Sequence, residues 1–210
     1  MHGLLERLDF RRPVVPREAV IEAASPRPPS RAELEEIADL IRRFTATDLC
    51  GRLGRATGVR REQRFTFPLG SALITGMLDV IASEPGGRTL IVDYKTDRLD
   101  AAEPEEIVAH EYETQRLVYA LAALRAGARE VDVVHVFLER PDEPVSLTFA
   151  AAETPALETR LTEIAAGVIE GRFAVTEMPH RALCAGCPAE GGLCSWPLEM
   201  TRREQADRLF

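Results

Sequence analysis

The sequence predicts an α/β fold: a mixed central sheet flanked by helices, with a cysteine-rich lobe toward the C-terminal end. Three observations carry this expectation. Apolar residues recur at helical spacing before residue 60, change to a period of two from residue 62, and return to helical spacing after the third alternating run. Two more alternating runs and another helix follow, so helices bracket the strands as in a layered domain. Three of the four cysteines crowd into CAGCPAEGGLC. With 210 residues, 45% of them hydrophobic, the chain is long enough for one full core with decorations.

Residues 11–30, RRPVVPREAVIEAASPRPPS, hold five prolines and read as a loop around a short segment at best. Ser30 and Glu33 then fit a capping box, and Leu34, Ile37, Leu40, Ile41 and Phe44 recur at helical spacing. A second short helix carries Leu49, Cys50 and Leu53. QRFTFPL, ALITGMLDVIA and TLIVDYKT read as three successive strands, the last two joined by the turn SEPGGR. EEIVAHEYETQRLVYALAALRAG predicts one long helix ended by Gly127. VDVVHVFLE and VSLTFA are strands around the turn RPDEP, and the helices ALETRLTEIAAGVIEG and LEMTRREQADRLF flank the cysteine segment. The expected divisions are a helical region over 1–60, a core over 61–172 and a cysteine-rich segment over 173–210.

Net charge is −8, which argues against coating nucleic acid through bulk positive charge. A local patch remains in CGRLGRATGVRREQR, where Arg52, Arg55, Arg60, Arg61 and Arg64 face one acid, Glu62. A solvated helix face and a phosphate-tracking surface both fit that window. No apolar run approaches the roughly 20 residues of a membrane-spanning helix, and the N-terminus has no secretory pattern, so a cytoplasmic protein without a membrane segment is expected.

Lys95 is the only lysine among 26 Lys and Arg residues, and it stands two positions after Asp93 in LIVDYKTDRLD. Strand alternation puts Ile91, Asp93 and Lys95 on one face and Val92 and Tyr94 on the other. A turn centred on Gly86 sets Asp79 opposite Asp93. Like charges ~5 Å apart repel by roughly 3 kcal/mol at an effective dielectric near 20, so a positive group belongs between them. Lys95 alone can serve as an ion pair. A divalent cation is the other candidate, because hard oxygens on adjacent strand ends suit Mg²⁺, and a compact ammonium beside it can hold the attacking water and face charge developing on a phosphate.

These residues, Glu62 … GMLD79VI … IVD93YK95T, resemble the PD-(D/E)xK nuclease superfamily and within it the RecB/AddB-type nuclease domain. The resemblance implies a restriction-endonuclease-like fold and a Mg²⁺- or Mn²⁺-dependent DNA nuclease, an exonuclease acting with a partner or fused helicase in DNA repair or recombination. It implies that Asp79, Asp93 and the carbonyl of Tyr94 ligate the metal and that Lys95 assists the water. Gln115 and Tyr119 match the Q-x3-Y motif of such domains, four residues apart on one helix face. HGLLERLDF is similar to the family's histidine helix, which makes His2 a further metal ligand. The family's leading glycine would fall before Met1, so either the true start is expected upstream or the chain is the tail of a larger helicase–nuclease. The rival from another class is a nuclease-like module that holds DNA ends or a helicase without cutting.

Cys184, Cys187 and Cys194 have a C-x2-C-x6-C spacing that can bring thiolates to one centre. The triplet is similar to that of RecB/AddB-type nucleases holding a 4Fe-4S cluster, which makes Cys50 the fourth ligand. In those relatives the first cysteine precedes the histidine helix, whereas Cys50 follows His2. The alternatives are Zn²⁺ completed by His180 and a loop of half-buried thiols holding nothing. With metal bound, its role is structural.

Overall fold

The computed structural model describes residues 1–99, 102–172, 175–192 and 194–204. Among them the chain forms two compact units, Met1–Ala165 and Ala166–Phe210. The first opens with helices α1 (His2–Leu5), α2 (Glu18–Ala24), α3 (Arg31–Thr45) and α4 (Asp48–Arg55). Strands β1 (Gly58–Leu69), β2 (Ala72–Ser83) and β3 (Thr89–Lys95) follow. Helices α5 (Pro104–Glu111) and α6 (Glu113–Arg125) lead to β4 (Glu130–Phe137) and β5 (Val145–Ala150). Helix α7 (Thr154–Ile169) runs across the division between the units; α8 (Arg181–Cys184) and α9 (Leu198–Thr201) belong to the second.

The five strands lie in chain order, β1-β2-β3-β4-β5, and only β3 and β4 pair in parallel, across the α5–α6 crossover. This is a mixed α/β sheet flanked by helices, consistent with the restriction-endonuclease-like fold. One apolar layer packs α1, α3 and α4 against Val80, Val92, Tyr94, Val134 and Val136. The other packs α6 and α7 against Leu78, Ile81, Ile91, Val131 and Val133. Ile91 and Val92 thus face opposite layers, as alternation requires. β3 and β4 are covered on both faces, which is why LIV and VDVVHVF are nearly continuous apolar runs.

The capping box forms as expected: the Glu33 amide donates to Ser30 Oγ (3.2 Å) and the Ser30 amide to Glu33 Oε2 (2.7 Å). The β2–β3 register is also the expected one. Gly86 and Gly87 take positive φ values of 94° and 89° in the turn, and Val80 pairs with Val92 at the last rung of the ladder.

Other expectations need correction. The arginine-rich window is not a helix face beyond Arg55, because β1 already begins at Gly58. The single long helix is two, parted at Tyr112 (φ −114°, ψ 4°), whose side chain is drawn toward β3 and β4. The terminal helix is described only over Leu198–Thr201, and residues 205–210 of that expectation lie outside the described residues. No helix among the described residues is long and apolar enough to cross a membrane.

One feature had no sequence signal. Val59 packs with the α1/α3/α4 layer, as does Val80, whereas Phe65, Phe67 and Leu78 pack with the α6 layer. Strict alternation would keep Leu78 with Val80. Both strands switch parity at Glu62 and Asp79, the one step of the β1–β2 ladder left unpaired, where Glu62 has φ 47°. A non-glycine residue in the left-handed region is strained, and here the strain twists the hairpin beside a carboxylate.

Candidate active site

Asp79 and Asp93 stand one step beyond the last paired residues of β2 and β3. Where the ladder would continue, Asp79 Oδ2 instead accepts a hydrogen bond from the Tyr94 amide at 2.9 Å. Asp93 and Lys95 are buried, on the α6 side of the sheet, and Lys95 Nζ lies 2.8 Å from Asp93 Oδ2. The ammonium also donates to Gln115 Oε1 (2.8 Å), Gln115 Nε2 donates to the Tyr119 hydroxyl (2.9 Å), and that hydroxyl donates to Asp93 Oδ1 (3.2 Å). The four side chains close a ring that joins the end of β3 to α6. Burial, then Asp93, push the Tyr119 phenol upward, so it remains a donor.

His2 comes to the same place. Leu4 and Leu5, both buried, anchor α1, and His2 Nδ1 stands 3.9 Å from Asp79 Oδ1 with its ring edge-on to Tyr94. The Tyr94 ring packs at right angles on Phe44, 5.3 Å away, in the opposite layer. The seven residues His2, Asp79, Asp93, Tyr94, Lys95, Gln115 and Tyr119 are therefore gathered at one end of the central strands.

Two neighbours escaped the sequence reading. The Tyr112 ring lies over Lys95 Nζ at 3.5 Å, and its hydroxyl donates to Asp97 at 3.0 Å. Its spacing from Gln115 and Tyr119, three and seven residues, was a usable signal, because those offsets share one helix face. His135, opposite Asp93 on β4, is fully buried, has neither ring nitrogen partnered among the described residues and stacks on Tyr112 at 5.9 Å. Burial lowers it to about 4, so it is neutral at pH 7. An isolated histidine in an apolar strand gave no such indication.

The donor set suits a hard divalent cation. Burial, and then the neighbouring Asp93 and Glu62, push the Asp79 carboxyl above its ordinary range against the Tyr94 amide and His2. Asp93 Oδ2 is buried and, although the ammonium is close, receives no well-formed hydrogen bond. Two carboxylates with an imidazole alongside are oxygen and nitrogen donors of the kind Mg²⁺ or Mn²⁺ takes, although among the described residues His2, Asp79 and Asp93 are not drawn closely enough together to hold an ion as they stand.

The cysteines present a different picture. Cys50 is buried in the apolar layer of α4, where burial pushes its thiol up to about 11, the reverse of what a thiolate ligand needs. In the second unit Cys184 is buried, Cys194 half-buried and Cys187 exposed, and none is in a disulfide. Among the described residues no three His, Cys, Asp or Glu side chains gather closely enough to hold a metal ion. The expected four-cysteine 4Fe-4S set therefore finds no support in this arrangement.

A paired acid and lysine thus stand at the end of a buried strand, held by a glutamine and a tyrosine from the next helix. The sequence model of the PD-(D/E)XK nuclease superfamily matches residues 1–192, and the chain belongs to that superfamily. No curated protein sequence matches it. Among solved structures it is similar to that of SSO0001 (17% identity, 79% of this chain and 75% of that one, TM-score 0.40). It is also similar to a candidate exonuclease from Eubacterium rectale (14% identity, 74% of this chain and 61% of that one, TM-score 0.43).

Proposed function

We propose that the chain is a metal-dependent DNA nuclease that hydrolyses phosphodiester bonds exonucleolytically, working beside a helicase in repair or recombination. The observation that carries the chemistry is the closed ring Asp93–Lys95–Gln115–Tyr119 with Asp79 pinned beside it by the Tyr94 amide. Asp79, Asp93, His2 and the Tyr94 carbonyl would hold Mg²⁺ or Mn²⁺. Such an ion, when bound, neutralises phosphate charge and makes water a better nucleophile.

The remaining work belongs to side chains. Lys95, held on three sides by Asp93, Gln115 and the Tyr112 ring, orients the attacking water and faces the charge that develops on the phosphate. Gln115 and Tyr119 hold the ammonium and the carboxylate at fixed separation, so that little reorganisation is left for the reaction itself. Helicase association and exonucleolytic action rest on the family resemblance.

The test is cleavage of end-labelled linear and circular DNA with Mg²⁺, with Mn²⁺ and with chelator. Metal-dependent loss of linear DNA supports the reading. Binding of DNA ends without cleavage under every metal would replace it with the non-cutting module. For the cysteine segment, structural Zn²⁺ held by His180, Cys184, Cys187 and Cys194 is the alternative to a cluster, and among the described residues neither ligand set is drawn together as it stands. Metal analysis of protein purified without oxygen, with absorption near 400 nm as the sign of iron–sulfur, decides between them.

A further inference from the structure

Two sizeable clefts of the first unit do not lie over the carboxylates. One, of about 600 Å³, runs between the β1–β2 hairpin and α6 and is lined by Arg60, Arg64, Arg125, Phe65, Leu78 and Ile81 among others. The second, of about 800 Å³, extends it to Arg88, Arg129 and the turn at Gly86 and Gly87. Arg60, Ile81, Ala123 and Ala126 line both, which makes them one trough. Its near end meets the acid–lysine site: the Phe65 ring stands 6.1 Å from the Tyr119 ring, edge to face, and Leu78 adjoins Asp79.

The lining is unusual for a chain of net charge −8. The smaller cleft holds three arginines and no acid. Arg60, Arg64 and Arg129 are exposed and, among the described residues, have no carboxylate partner, whereas Arg125 is paired with Glu158 and Arg88 with Glu130. Two other basic side chains of the 52–64 window are otherwise employed. Arg52 bridges Glu84 and Asp132, and Arg61 donates to the Leu8 carbonyl above the Phe10 ring.

The floor is apolar and aromatic. Phe65 stacks on Phe67 with ring centroids 6.0 Å apart. It lies across its cross-strand partner Gly76, where a Cβ would come within 2.4 Å of the ring. The absence of that Cβ lets the half-buried ring lie flat on β2.

We propose that this trough is a track for single-stranded nucleic acid running along α6 to the acid–lysine site, an inference that rests on the nuclease reading. Exposed guanidinium groups hold successive phosphates, and Phe65 offers a stacking surface for a base. A duplex hides its base faces from such a ring. A strand held this way meets the carboxylates end first.

The test uses the full chain in chelator with fluorescently labelled oligothymidylate, read by anisotropy. Arg60→Glu, Arg64→Glu and Arg129→Glu combined should weaken binding at least tenfold and flatten the salt dependence by roughly 0.7 per arginine lost. Phe65→Ala should weaken binding several-fold at unchanged salt slope, and a duplex of the same length should bind less tightly than the single strand. Affinity of the triple variant within twofold of the unaltered chain, with native circular dichroism, would overturn the proposal and leave the trough to a protein partner. Duplex bound as tightly as single strand would overturn it too. Hydrolysis of bis(p-nitrophenyl) phosphate with Mn²⁺ by the unaltered chain reads the chemistry separately, so failure of the nuclease reading and failure of the track give different results.

Discussion

Asp79 and Asp93 face one another across β2 and β3 just where the ladder stops, and each carboxylate is held differently. The Tyr94 amide takes Asp79, and the Lys95 ammonium takes Asp93. Only the second pair is buried, and that difference separates the effects of substituting them. Asp79→Asn, whose side chain is 14% exposed, should lose about 100-fold or more in cleavage rate while its unfolding free energy moves by no more than about 1 kcal/mol. Lys95→Ala should lose activity as well, and should also cost about 3–5 kcal/mol, because it leaves the Asp93 carboxylate buried without a counter-charge. Cleavage of end-labelled DNA and urea unfolding measure the two quantities. An Asp79→Asn protein that cuts at the unaltered rate defeats the assignment.

Tyr119 is the hinge of the ring, donating to Asp93 and accepting from Gln115. Tyr119→Phe removes one oxygen and strands two partners, so stability should fall by about 1–3 kcal/mol. The rate should fall through kcat with KM little changed, since the ring positions Lys95 and does not grip substrate. A change confined to KM would instead place Tyr119 in contact with DNA.

The parts of this site that were legible in the sequence are those set locally. The face shared by Asp93 and Lys95 follows from the two-residue period, and the alignment of Asp79 with Asp93 follows from the length of the SEPGGR turn. What escaped depends on distant contacts. Nothing in REQR announces that Glu62 adopts a left-handed conformation and turns the hairpin over. The helix break at Tyr112 is imposed by Lys95, Asp97 and His135, three residues from other elements. Cysteine spacing likewise announces that thiols are near in sequence, whereas the environment of each sulfur, as at Cys50, is decided by packing.

The cap of α3 gives a pH-dependent prediction away from the site. The Arg27 side chain, and next the Ser30 amide, hold the Glu33 carboxyl down at about 2. A carboxylate lowered in the folded state stabilises above its unfolded value near 4.5, and that contribution fades as pH falls from about 4.5 to about 2. Glu33→Gln should therefore be less stable than the unaltered chain at pH 7 and should converge with it near pH 2. Thermal midpoints at the two pH values test the sign. A gap that widens in acid contradicts it.

The thiols should differ in reactivity. Cys50, raised to about 11 and sealed by Phe44-containing packing, should resist a disulfide reagent at pH 8 until the chain unfolds, whereas exposed Cys187 should react first. Peptide mapping of the labelled protein distinguishes them. Rapid native labelling of Cys50 would show that α4 opens locally.

Gly54 makes the close approach that seats the His2 segment. It lies in the last turn of α4, and a Cβ there would come 2.5 Å from the Phe10 carbonyl oxygen, a backbone atom that cannot swing aside. The loop from α1 must then shift, and with it the helix that carries His2 to Asp79. Gly54→Ala should cost about 1–3 kcal/mol by overpacking, despite the better helix propensity of alanine. It should also slow cleavage, because α1 no longer presents the imidazole at 3.9 Å from the carboxylate. His2→Ala on the unaltered background separates the two effects: it should reproduce the loss of rate without the loss of stability. Equal stability of Gly54→Ala and the unaltered chain would mean that the loop at Phe10 yields freely and that α1 is not held by this contact.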